Sequence, residues 1–185
     1  SIPLRTDANQ GWDYISALTV LNTIADWNVE YCEQPVKHWD YAHLARLRQN
    51  ARVPICADES LFSPQDAIKL VTQQAVDFFN IKLSKSRGLR NAVKINAIAE
   101  AAGIKCMIGC MSESRLGISA NAHFASALQN VVFYDLDSPF EHAQNPILGG
   151  IHYQNHYQVI IPDLPGHGAE VEEDFLRRME SFVVE

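Results

Sequence analysis

The sequence lacks the features that mark several classes of protein. It contains no continuous apolar run of about 18 residues, the length that a membrane-spanning helix needs. Its first ten residues lack the charged and apolar regions of a secretory signal peptide. Basic residues are outnumbered, because 15 Lys and Arg face 22 Asp and Glu, and the net charge is −7. A general nucleic-acid-binding protein carries a basic surface instead. We therefore expect a cytoplasmic protein that binds neither membranes nor nucleic acid.

The sequence also offers little evidence for disulfides, a zinc site or common catalytic motifs. The four cysteines fall in apolar, strand-like segments, which predicts buried thiols rather than disulfides. Cys106 and Cys110 have a weak metal-binding spacing and no matching second pair, which disfavours a zinc site. No glycine-rich phosphate loop follows a predicted strand, and no histidine pairs with a Cys and an Asp as a nucleophilic triad requires.

What the chain does contain is a regular alternation of short apolar segments and longer helical patterns. The predicted strands are 4–8, 29–33, 53–57, 77–83, 104–109 and 131–135, and the predicted helices are 12–27, 40–50, 63–74, 88–102 and 114–128. Asp40 and Ser63, the latter followed by Pro64, are typical helix N-termini, and Gly103 is a typical helix end. Such alternation predicts a parallel sheet with helical crossovers.

Four ionisable residues recur at even intervals at the ends of predicted strands. In chain order they are Asp7, Glu33, Asp58 and Lys82. Their spacings of 26, 25 and 24 residues match one strand, one helix and two short loops. In a barrel of βα units all strands end at one face, so we expect three carboxylates and an amine at one mouth. Three carboxylates suit a hard divalent cation such as Mg²⁺, and the amine suits a base.

The same interval continues to Gly109 and Asp135, which gives six strands. An open doubly wound sheet would concentrate ligands at one switch point, whereas candidate residues here follow almost every strand, which favours a barrel. A full barrel has eight units and about 250 residues, so we expect a partial TIM barrel, truncated at its N-terminus. We assign residues 1–139 to this α/β partial barrel.

Residues 140–185 are predicted to form a C-terminal tail that packs on the barrel flank or on a separate capping domain. Within the tail, 147–161 is predicted as a two-stranded hairpin that turns near Gln154 and Asn155. Residues 170–182 are predicted as a short helix.

Six motifs that follow the predicted strands occur in a specific order and spacing. They are DANQGW, EQP, ADES, IKLSK, GCMSES and YDLDSP. Together they resemble the barrel domain of the enolase superfamily, in its muconate-lactonizing branch and most closely its dipeptide epimerases. The resemblance covers residues 4 to 168. It implies strands three to eight of a (β/α)7β-type barrel.

The resemblance implies that Asp7, Glu33 and Asp58 bind one Mg²⁺ and that Lys82 is an acid/base lysine. Enzymes of this superfamily use a Lys or His base beside Mg²⁺ to form an ene-diolate. Removal of a proton α to a carboxylate creates a second negative charge, which a cation on the carboxylate oxygens offsets. A nearby cation also lowers the pKa of a lysine, as a base requires.

The motif Asp135-Leu136-Asp137 narrows the implied substrate. In dipeptide epimerases of this branch, an Asp-x-Asp after the last strand binds the α-ammonium group. Alternation places both carboxylates on one side if the strand extends that far. Two negative charges favour an amine and disfavour muconate or succinylbenzoate. The implied substrate is a dipeptide such as Ala-Glu, inverted at the Cα of its C-terminal residue.

Several further residues are candidates for smaller roles. Met111 is expected to line the substrate pocket, and Glu113 and Ser114 to contact substrate or to cap the following helix. The supporting candidates around the metal are Asn9, Gln34, Glu59 and Lys85. Loop polarity explains the first two almost as well, Glu59 is expected to pair with a lysine or to be exposed, and Lys85 is interpreted first as a loop lysine. For each carboxylate alone, helix capping is the alternative role.

Two departures from the family pattern leave other functions open. Ser86-Arg87-Gly88 stands where two glycines are usual. The Lys-x-Lys of strand two, which carries the opposite base, belongs before Ser1. A cycloisomerase or N-acylamino-acid racemase of the same branch, or an inactive truncated fragment, are therefore alternatives. We expect a homo-oligomer, because an incomplete barrel leaves strand edges unpaired.

Overall fold

Six parallel strands form one sheet whose order follows the chain. The structure, a computed structural model, describes residues 2–155 and 158–181. Strands β1 to β6 are Leu4–Asp7, Val29–Glu33, Ile55–Ala57, Phe78–Ile81, Lys105–Ile108 and Val131–Tyr134. Helices α1 to α5 are Tyr14–Ile24, Tyr41–Asn50, Pro64–Thr72, Leu89–Ala101 and Arg115–Ser126. The predicted alternation is confirmed, and each element lies within the bounds predicted for it.

Helix boundaries follow the capping signals in the sequence. The carboxylate of Asp40 and the hydroxyl of Ser63 each accept a backbone N–H of the first turn, in α2 and α3 respectively. Pro64 opens α3, where its missing N–H removes no helical hydrogen bond. Gly103 follows α4 with φ +72°, a left-handed conformation that glycine adopts without steric penalty.

The chain divides into two compact units. The first comprises the described residues up to Gly109 together with Gln129–Tyr134, and it contains β1–β6 and α1–α4. Its sheet is curled, as a contact between the two outer strands shows. The guanidinium of Arg5 on β1 lies 4.6 Å from the ring centre of Phe133 on β6. The same guanidinium is 3.5 Å from the carbonyl oxygen of Tyr134. The outer strands therefore approach each other, and the predicted partial barrel is confirmed as a curled half-barrel.

The second unit comprises Cys110–Leu128 and the described residues from Asp135 onward. Besides α5, its described residues form four short strands, one further α-helix and the 3-10 helix Ser138–Glu141. Strands β7 to β10 are Ile147–Gly149, His152–Gln154, Gln158–Ile160 and Ala169–Val171, and helix α6 is Glu173–Leu176. Among the residues described in either unit, no helix combines the length and apolarity needed to cross a membrane.

The predicted hairpin over 147–161 is only partly right. Strand β8 pairs with β9 as expected, whereas β7 pairs antiparallel with β10. Gly149 and Gly150 have φ of +65° and +74°, which breaks the chain direction between β7 and β8. The Gly150 N–H then donates to the carbonyl of Gly168 at 2.6 Å, which ties this corner to the start of β10.

The helix predicted at 170–182 is wrong over most of its length. Its first residues belong to β10, and α6 covers four residues. Residue 182 lies outside the described residues, as does the 156–157 segment between β8 and β9. The packing predicted for the tail stays a prediction.

Candidate metal and proton-transfer site

Three carboxylates stand at the carboxyl ends of adjacent strands. Asp7 and Glu33 are the last residues of β1 and β2 and are partners across the parallel ladder. Asp58 directly follows β3. Because parallel strands carry their carboxyl ends to one edge, the three residues share that edge. Glu33 and Asp58 are buried, whereas Asp7 is exposed.

Lys82 follows β4 and points its ammonium group at two of these carboxylates. Its Nζ is 2.8 Å from Asp58 Oδ2 and 3.8 Å from Glu33 Oε1. With 9% of its surface exposed, it is not a surface lysine. Burial alone lowers the pKa of Lys82, but the Asp58 hydrogen bond and the surrounding negative charges raise it above its usual value. Base function therefore requires added positive charge at these carboxylates.

Lys85 is not the loop lysine that the sequence suggested. It is buried, and its ammonium contacts Asp58 Oδ1 and also donates to the carbonyl oxygens of Asp58 at 2.7 Å and Asn80 at 3.2 Å. The chain after β4 makes a tight turn, in which the Ser86 N–H donates to the Lys82 carbonyl at 3.0 Å. This turn brings Lys85 back to Asp58, and the three-residue spacing from Lys82 was its only sequence signal.

The two lysines keep Asp58 ionised. Burial alone would raise the pKa of Asp58, but the charge of Lys85 and then that of Lys82 lower it below its ordinary value. Burial lowers the pKa of Lys85, and the Asp58 carboxylate opposes that shift.

Glu33 is held by an amide that the sequence interpretation missed. Asn80, a polar residue inside the apolar strand β4, donates from Nδ2 to Glu33 Oε1 at 2.5 Å. A Cβ at position 109 would overlap the Asn80 side chain, so Gly109 leaves the room that this amide needs. Burial, followed by the charge of Asp58, raises the pKa of Glu33 to about 8. Burial thus favours the neutral form of Glu33, and a cation bound beside it would favour the carboxylate.

The donor set fits a divalent cation, although its atoms are not gathered in this arrangement. Among the described residues, the Cys, His, Asp and Glu ligand atoms that lie within 4.8 Å of one another belong to Cys110, Asp135 and Asp137. The carboxylates of Asp7, Glu33 and Asp58 do not form such a group, and Lys82 contacts two of them. Three hard carboxylate oxygen donors nevertheless suit Mg²⁺.

Two supporting candidates hold the chain around the carboxylates. Gln34 is fully buried, and its Oε1 accepts the backbone N–H groups of Asp58 at 3.0 Å and Ser60 at 3.1 Å. It therefore fixes the loop that carries Asp58. The Asn9 N–H donates to Asp7 Oδ1 at 2.8 Å, which orients that carboxylate.

Glu59 follows neither of its predicted roles. Its Oε1 accepts from Gln10 Nε2 at 3.1 Å, so its partner is an amide rather than a lysine. Its Oε2 is buried and has no hydrogen-bond partner among the described residues. The carboxylate is thus held beside the loop that follows β1 and does not contact Lys82 or Lys85.

The second unit has its own acidic cluster. The ligand atoms of Cys110, Asp135 and Asp137 lie within 4.8 Å of one another, and Cys110 Sγ is 3.7 Å from Asp137 Oδ1. Burial and the charge of Asp135 raise the pKa of the Cys110 thiol, which keeps it neutral. Cys110 was predicted as a buried strand thiol, but it lies beyond β5 and is half-buried. Two adjacent carboxylates suit a cation or an ammonium group.

Met111 and Glu113 lie on the loop that precedes α5. Met111 is 53% exposed, and its N–H donates to the Glu113 carboxylate. That carboxylate folds back onto its own loop, so the predicted helix-capping alternative for Glu113 is wrong. The N-cap of α5 is Ser114. Substrate contact by Met111 and Glu113 stays a prediction.

A curled sheet of parallel βα units, with carboxylates and a lysine at the strand ends, defines a domain of the βα-barrel class. The chain belongs to the enolase C-terminal domain-like family, whose model matches residues 1–175.

Its relatives include proteins named as epimerases. The chain is 41% identical over 184 residues to the D-Ala-D/L-Ala epimerase of Cytophaga hutchinsonii, which covers 100% of the chain and 50% of that protein. It is 41% identical over 171 residues to the L-Ala-D/L-Glu epimerase of Clostridium acetobutylicum, covering 91% and 48%. The solved dipeptide epimerase of C. hutchinsonii, complexed with Mg and the dipeptide D-Ala-L-Val, superposes with a TM-score of 0.94 at 42% identity, covering 97% and 49%. The chain thus spans about half the length of the curated relatives it matches.

Proposed function

We propose that the chain carries one base and the metal ligands of a Mg²⁺-dependent dipeptide epimerase. The observation that carries the proposal is the Lys82 ammonium, which lies 2.8 Å from Asp58 and 3.8 Å from Glu33 at the ends of successive parallel strands. The epimerases named above, at 41% identity, support the reaction class.

The proposed reaction removes and returns a proton α to a carboxylate. Asp7, Glu33 and Asp58 would hold Mg²⁺, which would supply the positive charge that offsets the second negative charge of the enolate. Lys82 takes up or returns the proton at Nζ on one face of the α-carbon. Asn80 orients Glu33, and Gln34 fixes the loop that carries Asp58.

We propose that Asp135 and Asp137 bind the α-ammonium group of the dipeptide. Their carboxylates lie within 4.8 Å of each other, and two negative charges attract an ammonium group and repel a dianion. This preference favours a dipeptide over muconate, the substrate class of a cycloisomerase.

The test is deuterium exchange at the α-carbon. The Mg²⁺-loaded chain is incubated with Ala-Glu in D₂O, and deuterium in the glutamate residue is measured by mass spectrometry. We expect exchange that Lys82→Met abolishes and that the matched control Lys69→Met, at an exposed lysine, preserves. Weaker exchange of N-acetyl-Ala-Glu supports ammonium recognition. Exchange that persists in Lys82→Met, or no exchange by the Mg²⁺-loaded chain, would overturn the proposal.

A further inference from the structure

The two lysines on Asp58 use different oxygen atoms and are held very differently. Lys82 contacts Oδ2, and its other ionic contact is the carboxylate of Glu33. Lys85 contacts Oδ1 and donates in addition to the main-chain carbonyls of Asp58 and Asn80. One ammonium therefore depends on side-chain carboxylates, whereas the other is also bonded to the backbone.

The contacts of Lys85 satisfy the whole ammonium group. A lysine ammonium has three N–H donors, and Lys85 meets three acceptors inside a buried environment. Moving it would leave a buried ammonium charge without its three acceptors, which is unfavourable. Lys82 has no such main-chain contact among the described residues. A cation bound at the carboxylates would thus compete with Lys82 rather than with Lys85.

We propose that Lys85 is the fixed counter-ion and positioning residue of Asp58, while Lys82 is its exchangeable partner. Lys82 would give up Asp58 Oδ2 to a divalent cation, and its amino group would then be available for proton transfer. Lys85 keeps the carboxylate in place throughout. This inference rests on the proposed metal-ligand role of Asp58, but it does not depend on turnover or on the identity of the substrate.

Positioning and simple charge effects predict different outcomes. Each lysine brings one positive charge near the proposed cation site, so charge repulsion alone predicts that removing either lysine strengthens Mg²⁺ binding. Under the positioning proposal, the two removals have opposite signs. Lys82→Met removes the competitor for Asp58 and strengthens binding. Lys85→Met removes the anchor, leaves Oδ1 without its buried partner and weakens binding.

The first experiment measures Mg²⁺ affinity of the full chain by isothermal titration calorimetry. We expect Lys82→Met to bind about tenfold more tightly and Lys85→Met about tenfold more weakly, as for one hydrogen bond to a charged group. Lys69→Met is the matched control and leaves the affinity unchanged. Tighter or unchanged binding by Lys85→Met would overturn the proposal. Because no turnover is measured, failure here is distinguishable from failure of the deuterium-exchange test.

A second experiment avoids the risk that Lys85→Met does not fold. The unmodified chain is labelled with ¹⁵N-lysine, and its ammonium signals are followed by NMR during a Mg²⁺ titration, with the Lys82→Met spectrum used for assignment. We expect the Lys82 signal to shift and to exchange faster with water, while the Lys85 signal stays protected. Equal changes in both signals, or loss of protection at Lys85 alone, contradict a fixed anchor.

Discussion

The two acidic clusters of the molecule differ in how their negative charge is balanced. In the first unit, Glu33 and Asp58 are buried, and two lysine ammonium groups and an amide contact them. In the second unit, Asp137 is exposed and lies beside the neutral thiol of Cys110. A buried carboxyl group is either paired with counter-ions, as Asp58 is, or kept protonated, as the raised pKa of Glu33 favours. A partly exposed pair is solvated by water and leaves its charge available to a ligand.

The largest expected effect is on the free energy of unfolding, which should fall much more when a carboxylate of the first cluster is removed than when one of the second is. Asp58→Asn leaves two buried lysines without their shared carboxylate, so we expect a loss of about 3–5 kcal/mol in the free energy of unfolding. Asp137→Asn, at an exposed position, should change it by less than about 0.5 kcal/mol. Urea unfolding followed by circular dichroism measures both. Equal losses would remove the distinction between the clusters.

We expect Glu33, in the first cluster, to make the stability of the chain depend on pH. The folded pKa of Glu33, about 8, exceeds its ordinary value of 4.5, so the native state holds a proton that the unfolded chain releases. This contribution to stability is complete below the ordinary pKa and is lost as the pH rises through the folded pKa. The metal-free chain should therefore become less stable between pH 5 and 8, as thermal melts can check. Asp58 has a lowered pKa, so its own contribution to stability is lost only at more acidic pH.

Mg²⁺ binding should show the opposite trend. Because Mg²⁺ requires the carboxylate form of Glu33, its affinity should rise by up to about tenfold per pH unit below the Glu33 pKa, with release of a proton. Calorimetry in two buffers with different ionisation enthalpies measures that proton. A Mg²⁺ affinity that does not vary between pH 6 and 8 would contradict the assignment of Glu33 as a ligand with a pKa of about 8.

The smallest effect concerns the amide that orients Glu33. In Gly109→Ala the new methyl group overlaps the Asn80 side chain, so we expect a loss of about 1–3 kcal/mol from overpacking. In the background of Asn80→Ala the same change should be much milder, because the overlapping atoms are gone. A double-mutant cycle measures this coupling, and additive effects would show that Asn80 is not what Gly109 accommodates.

How much could be predicted from the sequence depended on whether the signal was local. Asp7, Glu33, Asp58 and Lys82 were found because each βα unit has nearly the same length, and the strand ends then coincide. The burial of Lys85 depends on the turn after β4 and on a contact with a residue 27 positions away, which no local pattern reports.

The second unit shows the same limit. The pairing of β7 with β10 joins segments about twenty residues apart and replaced an adjacent hairpin. The cluster of Cys110 with Asp135 and Asp137 was not predicted, because these residues come close only in the folded chain.

The most direct test of the central claim is anomalous diffraction from crystals of the chain soaked with Mn²⁺, which shares the oxygen preference of Mg²⁺. We predict one strong peak that is coordinated by Asp7, Glu33 and Asp58, with Lys82 withdrawn from Asp58 and Lys85 in place. A peak confined to Cys110, Asp135 and Asp137, or no peak at the strand ends, would contradict it.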